Sequence, residues 1–212
     1  MSQSTNLDSN TPIWNPNEQQ IKGSNLTRYI RWLNEEKNLD FDHYHDLWEW
    51  SVDNIEIFWL SICEFFNIEF DKFSGSVLDG NDMPQAKWFP DSSINYAKYI
   101  LRTRNDTPAI ISYSETRDKE ILTYNQLFEE VARVANGLKA LGVSKSDRVV
   151  AYLPNIPEAI IAFLATASIG AIWSSCGPEF GTRSVIDRFK QIDPKVLIAI
   201  DGYIFGVKSI LK

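Results

Sequence analysis

One apolar run, from Asp147 to Asp201, constrains the fold more than any other stretch: DRVVAYLPNIPEAIIAFLATASIGAIWSSCGPEFGTRSVIDRFKQIDPKVLIAID. Asp147–Leu153, Ala171–Ser174 and Val196–Ile200 are short apolar segments bounded by turn residues, which predicts buried strands. Between the first two, a helix runs to Ile169 and stops at Gly170. Asn155 and Glu158 are expected to form a capping box around Pro157, whose missing N–H suits a first helical turn. Between the last two, Thr182 is the expected cap of a helix Val185–Gln191, and Pro194 blocks its continuation. Strands alternating with helices imply parallel pairing with helices over the sheet, an α/β fold. Ala159–Trp173 is membrane-like in hydropathy. It is shorter than the ~20 residues a bilayer span needs, and Gly170 interrupts it, so a place in the core is expected.

Upstream, Pro108–Ser114 and Glu120–Leu122 flank the polar turn Glu115–Lys119 and predict a hairpin. Thr123 and Gln126 form a capping box for a helix with Leu127, Val131, Val134, Leu138 and Leu141 on one face, ended by Gly142. Ser92 or Ser93 is expected to cap a short helix through Arg102 that buries Ile94, Ala97 and Leu101. Ser74-Gly75-Ser76 and Asp79-Gly80-Asn81-Asp82 are linker signals. Before them, Tyr44, Trp48, Val52, Ile55, Trp59, Ile62 and Phe66, widened by Leu47 and Phe58, trace one face of a single long helix, expected to pack as core. Asn25–Asn38 predicts another helix, with Thr27 or Asn25 as its cap. The domain division is a disordered polar tail over 1–24, a helical extension over 25–82 and the α/β region over 83–212, with Trp14 docking from the tail.

The 212 residues carry a net charge of -7 and are 44% hydrophobic. A sizeable core is affordable, but Lys and Arg are not clustered, which argues against a nucleic-acid partner. Cys63 and Cys176 are the only cysteines. Two cysteines make no disulfide framework, so a reducing, cytoplasmic setting is expected. His43 and His45 have no cysteine nearby, and no metal site is expected. Residues 1–25 show neither a secretory core nor a transit pattern, and no membrane association is expected.

Open α/β sheets take ligands beyond the carboxyl ends of their strands. That rule puts Pro154–Pro157, Ser175–Gly181 and Asp201–Lys208 on one rim. The loop Ser174–Thr182 leads into a helix N-terminus, where unpaired N–H groups and the helix dipole favour an anion; Glu179 opposes one. By spacing alone it is equally an ordinary βα connection. The chain has no G-x-x-x-x-G-K-[ST] loop and no G-x-G-x-x-G fingerprint. Neither histidine lies near a nucleophile motif, and Cys176 has Glu179 rather than a cation beside it, which disfavours a thiolate. No catalytic residue is assigned.

DRVVAYLPNIPEAIIAFLATASIGAIWSS is similar to the corresponding region of AMP-forming acyl-CoA synthetases. LTYNQL (Leu122–Leu127) resembles the first shared motif of the adenylate-forming superfamily, and Ala165–Phe180 sits where its second lies. NLTRYIRWLNEEKNLDFDHYHDLWEWSVDNIEIFW resembles the N-terminal extension of the acetyl-CoA synthetase branch. MPQAKWFPDSSINYAKYIL and IWSSCGPEFGTRSVIDRFKQIDPKVL resemble the acetoacetyl-CoA synthetase family. The likeness covers the chain after about residue 12. It implies the N-terminal part of an adenylate-forming large domain: a helical extension followed by a doubly wound, mostly parallel sheet, truncated.

The implied reaction is a two-step ligation of acetoacetate. The acid attacks ATP to give an acyl-adenylate, and the thiol of coenzyme A then displaces AMP, with Mg²⁺ offsetting phosphate charge. In the family, the phosphate-gripping loop, acid pocket and catalytic lysine follow the region present here. Coenzyme A contacts carry over to Gly177, Pro178, Glu179 and Phe180, and to Lys208. Where the acetyl-CoA branch has a glycine pair and two arginines, this chain has Pro178-Glu179, Phe205 and Lys208. The expectation is an inactive fragment of an acetoacetate–CoA ligase that awaits a downstream part. The alternatives are a stand-alone module for coenzyme A or a protein partner, and a structural remnant of a disrupted gene.

Overall fold

The computed structural model describes residues 12–80, 82–115, 117–206 and 208–211. Residues 1–11 of the expected tail therefore lie outside the described residues. The described chain forms two bodies, one of residues up to 69 with 74–90, the other of 70–73 with 91 onward.

The first body is mainly helical: α1 (Glu18–Lys22), α2 (Asn25–Lys37), α3 (Tyr44–Asp53) and α4 (Ile55–Phe65), with a small antiparallel pair β1 (Leu78–Asp79) and β2 (Lys87–Trp88). Within the expected tail, α1 is closed by a capping box between Asn17 and Gln20, while Trp14 is exposed rather than docked. Ser24, not Asn25 or Thr27, caps α2, its hydroxyl accepting from the Thr27 N–H. The single long helix expected over Tyr44–Phe66 is two helices. Asn54, at φ -123 and ψ 49, ends α3 and begins α4.

The buried side also differs from the expected stripe. Leu47 joins Tyr29, Leu33 and Phe41 in the core, with Trp50, Phe58, Ile62 and Phe65 packed against them. Tyr44, Trp48, Val52, Ile55, Trp59 and Phe66 are exposed. Trp48 follows Leu47 by one residue, about 100° around a helix, so a stripe drawn through Trp48 marks a different face of α3. In the core, the Ser61 hydroxyl donates to the Phe58 carbonyl at 2.7 Å. Its one hydrogen is thereby used, and the Tyr29 hydroxyl donates to Ser61 at 2.6 Å.

The second body follows the alternation of the sequence. It holds α5 (Tyr96–Ile100), the antiparallel hairpin β3 (Pro108–Ser112) and β4 (Glu120–Thr123), α6 (Tyr124–Ala140), β5 (Arg148–Tyr152), α7 (Pro157–Ile169), β6 (Ile172–Cys176), α8 (Thr182–Lys190), β7 (Val196–Ala199), and a second hairpin of β8 (Gly202–Phe205) and β9 (Lys208–Leu211). β5 lies between β6 and β7, parallel to both. Val150 is level with Ser174 and Leu197.

Alternate residues of β5 serve opposite faces of the sheet. Val149 packs with Leu138 of α6 and with Ile161, Leu164 and Ala165 of α7. Val150 and Tyr152 pack with Val185 and Phe189 of α8. Helices thus cover both faces, and the sheet is doubly wound. The Thr123–Gln126 capping box opens α6 as expected. α6 closes with bonds from the Gly142 N–H to Lys139 and the Val143 N–H to Leu138, a Schellman turn whose left-handed residue, Gly142 at φ +83, needs no Cβ. At the front, Asn95 rather than a serine caps α5, and Ile94 is exposed while Ala97 and Leu101 are buried.

Two cap expectations fail in the sheet region. α7 starts after Ile156 without a side-chain cap, Pro157 occupying its first turn, so no Asn155–Glu158 box forms. α8 begins at Thr182 itself, with Gly181 in the cap position. Both differences leave the carboxyl ends of β5 and β6 bordered by main chain rather than by capping side chains. Among the described residues, no helix is long and apolar enough to cross a membrane.

Candidate functional site

The order β6-β5-β7 creates a switch point. The chain leaves β5 for α7 on one face and leaves β6 for α8 on the other. The loops after these neighbouring strands therefore diverge, opening a crevice beyond their carboxyl ends. A cavity of about 570 Å³ occupies that crevice, lined by Leu153, Pro154, Asn155 and Ala159 after β5, by Ser175 and Cys176 at the end of β6 with Gly177, Pro178 and Glu179 after it, and by Tyr203 from β8. A second cavity, of about 420 Å³, lies across Pro154 and Asn155. Tyr113, Ser114 and Arg117 of the first hairpin border it, with Ile200 and Tyr203. Asn155 and Tyr203 belong to both. Asn155 stands at this shared rim instead of capping α7.

Three of the five carried-over residues meet at the first cavity. Gly177 is half-buried, Pro178 buried and Glu179 exposed, and all line it. Glu179 curls back over Gly177: a Cβ at Gly177 would stand 2.7 Å from the Glu179 Cδ, so the missing side chain leaves room for this carboxylate. Phe180 and Lys208 are not among the lining residues. Phe180 is exposed, with the Arg188 guanidinium 5.1 Å from its ring centre. Lys208 opens β9, paired in register with Phe205, and is exposed.

The loop has an anchor that pattern reading missed. Tyr152, the last residue of β5, is 9% exposed. Its hydroxyl donates to the Pro178 carbonyl at 2.9 Å and to the Phe180 carbonyl at 2.6 Å. One hydrogen serves both, a three-centre bond. The sequence signal was a tyrosine ending a strand that is otherwise Arg, Val, Val and Ala, since a buried phenol needs a partner for its polar tip. The Phe180 N–H closes the turn on the Gly177 carbonyl at 3.2 Å.

Chemically, the cavity is a mixed surface. Leu153, Pro154, Ala159 and Pro178 give it apolar walls, while Asn155, Ser175 and Tyr203 supply polar groups. α7 and α8 direct their N-termini toward this rim, which favours negative charge; the Glu179 carboxylate opposes it. Such a surface suits an uncharged, flexible chain with amide groups better than a bare phosphate. Among the described residues, no group of three or more His, Cys, Asp or Glu side chains is placed to hold a metal ion.

Comparison with known proteins places these features in a lineage. A family model described as AMP-binding enzyme matches residues 98–210, and one described as acetyl-coenzyme A synthetase N-terminus matches residues 44–99. An acetoacetyl-coenzyme A synthetase of Rhizobium meliloti is 36% identical over 202 residues, covering 95% of this chain and 31% of that protein. The acetoacetyl-CoA synthetase of Macaca fascicularis is 37% identical over 203 residues, covering 93% and 30%. The solved acetoacetyl-CoA synthetase from Streptomyces lividans superposes with a TM-score of 0.88 at 42% identity, covering 95% of this chain and 32% of that one. The chain thus spans about a third of the length of these relatives. With the family model covering more than half of its residues and the doubly wound sheet in place, the chain belongs to the AMP-binding enzyme family.

Proposed function

We propose that this chain supplies the coenzyme A-facing wall of an acetoacetate–CoA ligase, and that the 212 residues alone do not complete the reaction. The observation that carries this reading is the cavity at the switch point. Its walls are the loop positions, Gly177 to Glu179, that the family resemblance assigns to coenzyme A. Its apolar walls and scattered polar groups suit the pantetheine arm of that cofactor. Lys208, exposed at the start of β9, is proposed to meet one of its phosphates as a point charge. Phe180 is proposed to border the same ligand from the outer side of the loop.

Acetoacetate, ATP and Mg²⁺ are proposed as the reactants and metal of the complete enzyme. Two observations support the reading that the triphosphate is not gripped here: the sequence has no G-x-x-x-x-G-K-[ST] loop, and Glu179, the one carboxylate among the described residues lining the cavity, repels phosphate. A reducing, cytoplasmic compartment fits two free thiols, with Cys63 half-buried and Cys176 buried. The three-way division at residues 24 and 82 is proposed as the domain plan.

Calorimetric titration with coenzyme A tests the wall, and AMP release with ATP, acetoacetate and coenzyme A tests completeness. The proposal expects heat of binding that weakens in Lys208→Ala, and no AMP. Turnover by the 212-residue chain would overturn the second part, and absence of binding the first.

A further inference from the structure

We propose that Tyr152 is a positioning residue whose hydroxyl sets the shape of the Gly177–Phe180 loop and thereby of the cavity it walls. The inference rests on the coenzyme A reading for its ligand, but on geometry for its mechanism. The loop joins β6 to α8, and its α8 end is not held by a side-chain cap: Gly181 precedes α8 with none, and Thr182 is already helical. A βα connection that begins at Gly177 and passes two residues with exposed side chains, Glu179 and Phe180, has many available paths. The three-centre bond from Tyr152 gathers the carbonyls of Pro178 and Phe180 onto one point, at 2.9 and 2.6 Å.

That point is well fixed. Tyr152 pairs with Cys176 on one side and Ala199 on the other, and its ring packs in the core with Val185 and Phe189 of α8. The phenol therefore reports the position of the central strand to the loop. Because Gly177, Pro178 and Glu179 line the cavity, a shift of the two carbonyls moves the wall itself. Phenylalanine at this site would keep the ring packing and remove only the hydroxyl, leaving two carbonyls without this donor.

The test compares the full chain with Tyr152→Phe by amide hydrogen exchange and by coenzyme A titration. Exchange at Gly177 and at 179–182 is expected to speed up about tenfold, as for loss of one hydrogen bond, with β5 and α7 amides unchanged. Affinity for coenzyme A is expected to fall by a similar factor. Val150→Ala is the control, since it weakens the same α8-facing core without touching the phenol. If Val150→Ala speeds the loop as much as Tyr152→Phe does, the role is merely structural and the proposal is overturned. Unchanged loop exchange in Tyr152→Phe overturns it too, as does unchanged affinity beside a wild type that binds. If the wild type binds no coenzyme A, the ligand assignment fails and the exchange comparison still decides the positioning role. Wild-type NMR gives a check independent of any variant: a slowly exchanging Tyr152 hydroxyl proton is expected, and a fast-exchanging one overturns the proposal.

Discussion

The two ends of the three-stranded sheet are built from the same strands and differ in what their side chains do. At the amino end, Lys195 donates to the Gly142 carbonyl at 2.6 Å and to Asp147 at 3.0 Å, and Asp147 also accepts the Ser144 N–H and hydroxyl, each at 2.8 Å. Arg148 donates from Nε to the Ile192 carbonyl and from a terminal nitrogen to the Asp193 carbonyl, at 2.7 and 2.8 Å. The Ser146 N–H bonds the Gly170 carbonyl. These bonds tie the chain just after α6, α7 and α8 to the starts of β5 and β7. At the carboxyl end the loops diverge around a cavity, and Tyr152 reaches from the strand to hold one of them. Side chains at one end fix the frame, and those at the other leave a space with one wall pinned.

If this division is right, substitutions at the amino end cost stability and spare ligand binding, and those at the carboxyl end do the reverse. The largest effect is expected from Arg148→Ala. It removes charge-assisted bonds to three carbonyls, those of Ser146, Ile192 and Asp193, and should cost about 2–3 kcal/mol by chemical denaturation, with coenzyme A affinity unchanged. Gly170→Ala comes next. Gly170 has φ +77, and a Cβ there would sit 3.3 Å from the Lys145 side chain; forcing an L-residue into the left-handed region costs roughly 1–2 kcal/mol.

Acid should act at the amino end through Asp147. Hydrogen bonds from Lys195 and from the Ser144 N–H and hydroxyl hold its carboxyl at about 2, down from 3.8. A carboxyl lowered by folding contributes stability that is complete above its unfolded value and is lost as pH falls through the folded one. Melting temperature should therefore fall more steeply between pH 4 and pH 2 in the wild type than in Asp147→Asn; parallel profiles would contradict the assignment. The smallest effect belongs to the other end. Glu179→Gln removes a negative charge from the cavity wall, so coenzyme A should bind about threefold tighter, with stability unmoved, because exposed charges contribute little.

The sequence made the scaffold legible because strands and helices of different period alternate without interruption over Asp147–Asp201. The three strands, their parallel pairing and the left-handed stop at Gly170 all follow from that pattern. The site was legible as a rim, through the rule that places ligands beyond the strand ends, but its anchor was not. Tyr152 bonds main-chain carbonyls 26 and 28 residues away, and carbonyls carry no sequence signature. The side-chain caps expected at Asn155 and Thr182 are absent because α7 and α8 start at Pro157 and after Gly181 without a side-chain cap bond. In the first body the aromatic spacing does not tell which face is buried: Tyr44, Trp48 and Val52 share an exposed face of α3, Leu47 beside them is buried, and Asn54 ends that helix before the pattern continues.

The most direct test of the division between the two ends is an exchange footprint of coenzyme A on the intact chain. Slowed amide exchange is expected at 153–159, at 175–181 and at Tyr203, where the cavity is, and none at 142–148 or 191–195. Protection concentrated at the amino end, or spread evenly over both ends, would contradict it.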